Sequence, residues 1–192
     1  MRGGWLVVVG CVLVSELGGA YAAVARQRMA GPALPPPVQV AFASSYPVGS
    51  IVIVNAERAL YYIQGDGQAL RYPIAIGTRD EQWTGREVVT DKKENPVFYG
   101  MGEDGERPTP IPGGHRSNPL GARALYLGKT FWRIHGTIAP GSIGKAVSNG
   151  CIRMHNAHVI DLFERASIGT EVYAVRTLAE APPQKKGRKL YG

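Results

Sequence analysis

Two residues in the middle of the sequence have the chemistry of a nucleophile and its base. Cys151 follows a short run of small and polar residues, and His135 lies sixteen positions before it. A free cysteine thiol has a pKa of about 8.5, so a cysteine that attacks near neutral pH needs an imidazole or aligned backbone N–H groups beside it. The pair therefore indicates a thiol nucleophile with a histidine base. A buried, inert cysteine is the alternative interpretation.

The residues just before Cys151 favour a sharp turn. Gly150 can adopt backbone angles that a side chain would forbid. Such a turn would present the sulfur and direct the N–H groups of Asn149, Gly150 and Cys151 toward one point, where a carbonyl oxygen becomes negative during attack. Ser148 would either hydrogen-bond a ligand or close the turn, and we favour the turn.

Arg153 lies two residues beyond the cysteine. If this segment is extended, Arg153 faces the same side as Cys151. Its planar guanidinium then suits a carboxylate of a ligand. An internal salt bridge with an Asp or Glu is the alternative.

The histidine ends an apolar, aromatic run. Residues 125–134 predict one buried strand, and Gly136 and Thr137 follow where that strand ends. Because a strand end holds a side chain rigidly, it is a suitable place for a base.

Two separate blocks of sequence resemble a family signature. The pairing of Ile-His-Gly-Thr with Ser-Asn-Gly-Cys-Ile-Arg-Met resembles that of the L,D-transpeptidases, the cysteine enzymes of peptidoglycan that carry the YkuD-type catalytic domain. Residues 118–121, 143–144 and 168–170 look like that family too, and the likeness covers roughly residues 46–175. Members commonly have His where this chain has Asn149. Since that position would contribute mainly its backbone N–H, activity is expected to survive.

The resemblance implies a two-step acyl transfer. Cys151 would attack the carbonyl of the third residue of a peptidoglycan stem peptide, and His135 would pass the thiol proton to the departing D-alanine. The thioester would then be transferred to an amine of a second stem, which gives a cross-link, or to an envelope protein. Transfer to water would make the protein an L,D-carboxypeptidase, and a wall-binding protein without catalysis is the alternative from another class. Carbapenem-type inhibitors would acylate Cys151.

The resemblance also implies that the backbone carbonyl of Gly136 orients His135. Asp161 is the side-chain competitor, because it lies within ten residues of the nucleophile. No cofactor is expected. No metal is expected either, because His155 and His158 lack an acidic or cysteine partner at a matching helical spacing.

Four segments are predicted along the 192 residues. Residues 1–22 place Arg2 before an apolar segment and small residues near a cleavage point, which is typical of a signal for export to the periplasm or cell envelope. Residues 23–45 are rich in Ala and Pro and predict an extended linker. Residues 46–177 suffice for one catalytic domain, and residues 178–192 form a basic, flexible tail.

Cysteine usage and charge add two expectations. Removal of the signal would remove Cys11, so Cys151 would be a lone thiol in an oxidising compartment, where structural cysteines normally pair. The net charge is +7. No nucleic-acid partner is expected, because the basic residues are spread out and match no binding module. The tail is either a solvated terminus or attracted to anionic wall or lipid surfaces.

The catalytic domain is predicted to be mostly β. Segments rich in Val, Ile and Tyr predict strands at residues 50–55, 60–64, 70–76, 87–91 and 171–176, the first three as an antiparallel meander. A short helix is predicted at residues 157–165 after the catalytic cysteine, with Asn156 as its N-cap. The irregular segment at residues 77–116 is expected to form a lid or wall over the site. The pattern favours a β-sandwich or partly open barrel, and the resemblance implies the same L,D-transpeptidase (YkuD-like) fold.

Overall fold

The computed structural model describes residues 35–43, 45–100 and 109–180. Within these ranges the strands are β1 (Val38–Ala41), β2 (Ile51–Val54), β3 (Ala59–Gly65), β4 (Gln68–Gly77), β5 (Gly85–Glu94), β6 (Arg123–Leu127), β7 (Arg133–His135), β8 (Ala146–Ser148), β9 (Ile152–Met154) and β10 (Glu171–Val175). One α-helix, α1 (Asn156–Arg165), follows β9, and a 3-10 turn lies at Pro140–Ser142. The predicted signal lies outside the described residues. No helix in the described ranges has the length and apolarity that crossing a membrane requires.

The strands form a sheet that closes on itself. Neighbouring strands follow the order β4-β3-β2-β10-β5-β6-β7-β9, and β9 pairs with β4 again. Closure depends on β4, whose first half pairs with β1 and β3 while Ile74 and Ala75 pair with Met154 and Arg153 of β9. The prediction of a mostly-β fold with one short helix after Cys151 is confirmed, and the sheet is a closed barrel.

The sheet is buried on both faces near β2. Ile51 and Ile53 belong to the core inside the barrel, whereas Val52 and Val54 belong to a second apolar cluster. Strands covered on both faces read as continuous apolar runs, which explains the Ile-Val-Ile-Val sequence of β2. Phe42 belongs to the second cluster, where its ring lies 4.7 Å from that of Tyr61 between centroids.

The predicted linker contains a strand. Within residues 23–45, Val38–Ala41 form β1 and pair with β4 in an antiparallel register. The Pro-rich composition that predicted an extended linker ends at Pro37, and the β-branched residues Val38 and Val40 follow it. These residues favour a strand, and their backbone groups find partners along β4.

Residues 125–134 form two strands, so the prediction of one strand was wrong. β6 ends at Leu127 and β7 begins at Arg133. Between them Gly128 has a φ of +56°, and Thr130 donates its backbone N–H to Leu127 O. Phe131 continues the apolar pattern through this turn although its side chain is 88% exposed. That aromatic residue concealed the break in the sequence.

The predicted helix is present, but Asn156 is not its N-cap. The helix begins at Asn156, and His155 occupies the N-cap position without a side-chain hydrogen bond. We expected the apolar residues Val159, Ile160, Leu162 and Phe163 to pack on the sheet; Val159, Leu162 and Phe163 are buried, whereas Ile160 is exposed. The side chain of Asn156 is used elsewhere, in the site described next.

Candidate active site

Two parallel strands bring the predicted nucleophile and base to the same end of the barrel. β7 and β9 are neighbours, with Ile134 beside Ile152 and His135 beside Arg153. Both isoleucines are buried in the barrel core. Because successive side chains of a strand alternate between faces, His135 and Arg153 lie on the opposite face from the core. Cys151 immediately precedes β9, so the thiol and the imidazole occur on adjoining strands.

His135 is buried and has a defined tautomer. The residue is only 4% exposed, and its Nδ1 lies 2.6 Å from the carbonyl oxygen of Gly136. A carbonyl only accepts hydrogen bonds, so Nδ1 carries the proton and Nε2 is the basic nitrogen of the neutral ring. Gly136 therefore occupies the orienting position that the resemblance implied.

Burial keeps His135 uncharged. The pKa of His135 is lowered to about 4, chiefly by desolvation and also by the positive charges of Arg153 and Arg133, against the opposing effects of backbone groups of Gly136 and Leu120. The imidazole is thus neutral near pH 7. A neutral imidazole is the form that can accept a proton from a thiol.

Asp161, the alternative orienting residue, has other partners. Tyr72 donates its hydroxyl to Asp161 Oδ2 at 2.6 Å. Arg165 donates to both carboxylate oxygens, at 2.9 and 2.8 Å. The hydrogen bonds to Arg165 hold the pKa of Asp161 below its usual range. Asp161 thus joins α1 to β4, and the geometry favours Gly136 as the group that orients His135.

Cys151 lies at a turn and is partly exposed. It is a free thiol, and its Sγ donates to the carbonyl oxygen of Phe131 at 3.7 Å. Gly150 has a φ of +94°, in the left-handed region that favours glycine. Ser148 donates its hydroxyl to Cys151 O at 2.6 Å and is only 1% exposed. This geometry supports the turn-closing role of Ser148 over contact with a ligand.

A pair of tryptophans forms the wall behind this turn. Trp83 and Trp132 stack with centroids 4.5 Å apart and ring planes 7° from parallel. A Cβ on Gly150 would come within 2.9 Å of Trp132 Nε1. On the same side, Thr78 donates its backbone N–H to Ser148 O at 3.0 Å. Described residues that follow β4 therefore contact the turn, and the role of residues 77–116 as a lid or wall over the site stays a prediction.

Two arginines near His135 form no ion pair with an acidic side chain of the described residues. None of the ion pairs within the described residues includes Arg153 or Arg133. An internal salt bridge was the alternative explanation for Arg153, and no described carboxylate forms one with it. The sequence analysis did not single out Arg133, which lies two residues before His135 on the same strand.

Asn156 is a site residue whose function the sequence analysis missed. Its Oδ1 accepts the N–H groups of Ala122 (3.0 Å) and Thr137 (3.2 Å), and its Nδ2 donates to Thr137 O (3.1 Å). A Cβ on Gly136 would lie 2.1 Å from Asn156 Oδ1, and one on Gly121 would lie 2.2 Å from it. The two glycines were the sequence feature that could have indicated this role, because a side chain at either position would displace the amide of Asn156.

A second asparagine organises the segment before β6. Asn118 is 1% exposed, and its Nδ2 lies within hydrogen-bonding distance of the carbonyl oxygens of Pro96 (2.8 Å), Pro112 (3.0 Å) and Ile111 (3.2 Å). Its Oδ1 accepts the N–H of Leu120 at 2.9 Å. Asn118 thus joins Pro96, which precedes residues 101–108, to Ile111 and Pro112, which follow them.

The histidines after the nucleophile do not form a metal cluster with other residues of the described ranges. His155 and His158 contact each other edge-on, with ring centroids 5.5 Å apart. His158 also packs edge-on against Tyr72, 5.8 Å away. Among the described residues, no three His, Cys, Asp or Glu side chains are close enough to hold a metal ion.

Comparison with known proteins gives consistent matches. A family model described as the L,D-transpeptidase catalytic domain, YkuD, matches residues 49–173. The putative L,D-transpeptidase YqjB of Bacillus subtilis is 42% identical over 107 residues, which cover 53% of this chain and 56% of YqjB. The putative L,D-transpeptidase YkuD of the same organism is 34% identical over 149 residues, covering 77% of this chain and 74% of YkuD. The chain thus spans little more than half the length of some relatives that it matches.

The fold is similar to that of a solved family domain. The catalytic domain of the E. faecium L,D-transpeptidase, determined in a form acylated by ertapenem, superimposes with a TM-score of 0.53. The two sequences are 20% identical, and the match covers 69% of this chain and 100% of that domain. At this identity the match supports the fold alone.

Proposed function

Because this chain belongs to the L,D-transpeptidase family with the YkuD-type catalytic domain, we propose that it is a cysteine-dependent acyltransferase that acts on peptidoglycan stem peptides. One observation carries the proposal. A partly exposed thiol and a buried, neutral imidazole lie on adjoining strand ends, and the imidazole tautomer is fixed by Gly136. This is the arrangement that nucleophilic catalysis by cysteine needs.

In the first step Cys151 attacks the carbonyl carbon of the third stem residue. The thiol proton, which Sγ donates to Phe131 O in this structure, turns toward His135 Nε2. As the carbon–sulfur bond forms, His135 takes this proton and then gives it to the nitrogen of the departing D-alanine. The carbon–nitrogen bond breaks, and a thioester remains on Cys151.

The turn before β9 stabilises the charge that develops during this step. The left-handed conformation of Gly150 lets consecutive N–H groups of Asn149, Gly150 and Cys151 converge on the carbonyl oxygen. Each such donor commonly contributes about 3 kcal/mol to the transition state. The Trp83–Trp132 stack keeps the turn in place from behind. Since Asn149 contributes through its backbone, its side chain is not required for the step.

In the second step an amine attacks the thioester. His135 Nε2 accepts the amine proton and returns it to sulfur as the thiolate leaves. An amine of a second stem gives a cross-link between the third residues of two stems, and an amine of an envelope protein gives attachment to the wall. Water in place of the amine gives L,D-carboxypeptidase activity. Arg153 binds a carboxylate of the stem, because no described acidic side chain pairs with it.

The proposal includes the cellular location and the segment roles. The stem peptides lie outside the inner membrane, and residues 1–22 have the composition of an export signal. The enzyme is therefore exported to the periplasm or cell envelope, residues 46–177 act as its catalytic domain, and residues 178–192 as a basic tail.

Acylation by a carbapenem tests the catalytic proposal. Purified protein is incubated with ertapenem and weighed by mass spectrometry, with Cys151→Ser as the control. One ertapenem adduct on the wild type and none on the control is the expected result. No adduct on a folded protein whose Cys151 still reacts with a thiol reagent would falsify catalysis, and would leave the wall-binding function as the better explanation. Analysis of wall fragments from cells with and without the gene then identifies the acyl acceptor.

A further inference from the structure

Arg133 occupies an unusual position for a cation. It begins β7, pairs with Tyr126 of β6, and lies two residues before His135. Side chains two apart on a strand point to the same face, so Arg133 and His135 share the face opposite the buried Ile134. The pairing of Ile134 with Ile152, continued by one residue, brings Arg133 beside Cys151. Arg133 thus belongs to the surroundings of the thiol.

The guanidinium of Arg133 is poorly satisfied within the described protein. Its Nε is buried and has no hydrogen-bond partner among the described residues. No described carboxylate lies within ion-pair distance of it. The guanidinium carbon lies 5.3 Å from the centroid of the Tyr126 ring. A buried donor without a partner costs free energy, and a ligand that pairs with the guanidinium would recover part of that cost.

The contact with Tyr126 suits a binding role. A cation over an aromatic ring presents the face of the guanidinium to the ring and leaves the N–H groups at its edge available. Those N–H groups form a fork that matches a carboxylate. The contact with the ring therefore leaves these donors available to a ligand.

A second guanidinium lies nearby. Arg153 lies beside His135 in the register of β7 and β9. The charges of Arg153 and Arg133 both lower the pKa of the imidazole. Two cations placed around a single neutral histidine repel each other unless an anion joins them. Two positive charges therefore lie around His135 at the end of β7 and β9.

From this geometry we propose that Arg133, together with Arg153, binds a carboxylate of the acyl donor and makes Arg133 a specificity-determining residue of the site. The inference rests on the proposed function, because the anion belongs to the peptide that Cys151 attacks. A stem tetrapeptide offers carboxylates on its second residue, on the side chain of a diamino acid at its third residue, and on its terminal D-alanine. The shared chemistry is a carboxylate within reach of the scissile carbonyl.

The test compares four donor peptides: the unmodified tetrapeptide and three versions, each amidated at one carboxylate. Release of D-alanine is measured with the wild type, Arg133→Met, which keeps the packing against Tyr126, and Lys129→Met. Lys129 is an exposed cation of the preceding turn and serves as a matched control for net charge. We expect one amidation to raise KM of the wild type about tenfold, as the loss of a charge-assisted pair would.

Arg133→Met should raise KM for the unmodified peptide by the same factor and abolish the discrimination against that one amide, while Lys129→Met keeps it. The amidated peptide against which Arg133→Met no longer discriminates identifies the carboxylate that Arg133 binds. Equal discrimination by wild type and Arg133→Met for every amide would overturn the inference. If the wild type released D-alanine from no peptide and gained no ertapenem adduct, the proposed function itself would fail, which is a distinguishable result.

Discussion

Asn156 and Thr137 exchange hydrogen bonds in both directions, since Asn156 Nδ2 donates to Thr137 O and Thr137 N donates to Asn156 Oδ1. The pair ties the start of α1 to the segment that carries His135 and Gly136. Because the carbonyl of Gly136 fixes the tautomer of His135, the amide of Asn156 acts on the base through two intervening residues. We therefore expect Asn156 to be a positioning residue of the site.

Replacing Asn156 by Ala should lower both stability and activity. The variant loses three hydrogen bonds and leaves the N–H groups of Ala122 and Thr137 without their partner, which should cost about 3 kcal/mol of the free energy of unfolding. The rate of Cys151 acylation by ertapenem should fall as well, because the carbonyl of Gly136 is no longer fixed. Chemical denaturation and mass spectrometry measure the two effects. Asn156→Asp keeps the acceptor and should lose less of each, and an unchanged acylation rate in Asn156→Ala would contradict a positioning role.

Replacing Gly150 by Ala should impair acylation more than folding. The new Cβ would lie 2.9 Å from Trp132 Nε1, and the alanine would have to adopt a φ of +94°. The turn should therefore shift, and its N–H groups should no longer point to one site. We expect the acylation rate to fall by about a hundredfold, as when an oxyanion donor is lost. Trp132→Leu added to Gly150→Ala removes the contact but not the strained φ, and should restore part of the rate. Asn149→Ala, at the exposed neighbouring position, should have a smaller effect; a loss equal to that of Gly150→Ala would argue against the backbone role of Asn149.

The pH dependence of acylation should reflect the buried histidine. The pKa of His135 is lowered from 6.5 to about 4, so the base stays neutral, and able to accept a proton, down to that pH. The acid limb of the second-order rate constant for ertapenem should therefore have its midpoint near pH 4 rather than near 6.5. Arg133→Met removes a charge that disfavours the imidazolium and should move the midpoint upward, whereas Lys129→Met should leave it in place. A wild-type midpoint near 6.5 would show that the imidazole is less buried during catalysis.

Replacing Asp161 by Asn should affect stability rather than catalysis. The substitution removes the charge that Arg165 binds through two hydrogen bonds and weakens the acceptor of the Tyr72 hydroxyl. The Arg165 pair is partly exposed, so the free energy of unfolding should fall by about 1 kcal/mol. Acylation of the folded protein should continue at a rate near that of the wild type. Loss of acylation with intact folding would return Asp161 to the role of orienting His135.

Lys92 should stabilise the end of α1 from a neighbouring strand. Its Nζ donates to Phe163 O at 2.5 Å and to Ala166 O at 2.6 Å, and it lies 4.2 Å from the centroid of the Phe163 ring. Lys92→Met should lower the free energy of unfolding by about 2 kcal/mol, because the carbonyl oxygens at the end of α1 lose the charged hydrogen-bond donor that Lys92 provides. Lys93→Met breaks an exposed pair with Asp91 and a contact between Nζ and the Tyr126 ring, 5.8 Å from its centroid, and should change stability by less than about 1 kcal/mol. Thermal unfolding of the two variants compares them directly, and equal losses would contradict the capping role of Lys92.

The sequence predicted the fold class and the signature residues because both leave local patterns. The meander of β2, β3 and β4 follows from short runs of Val, Ile and Tyr separated by turn residues. The sequence did not reveal the turn between β6 and β7, because Phe131 and Trp132 extend the apolar run across it. It also concealed the role of Asn156, since a polar residue before a helix reads as a cap. Contacts between segments distant in sequence, such as those of Asn156 with Ala122, have no periodic signal.

The pairing of β4 with β9 joins residues 80 positions apart, Ile74 and Met154. Contacts this distant in the chain are expected to form late, because the entropy cost of closing a long loop comes before the contacts stabilise the fold. β9 begins one residue after Cys151, so the sulfur would reach its final surroundings only when the ring of strands is complete. Newly made chains would therefore carry an unassembled thiol, and enzymatic competence would arise together with complete folding rather than before it.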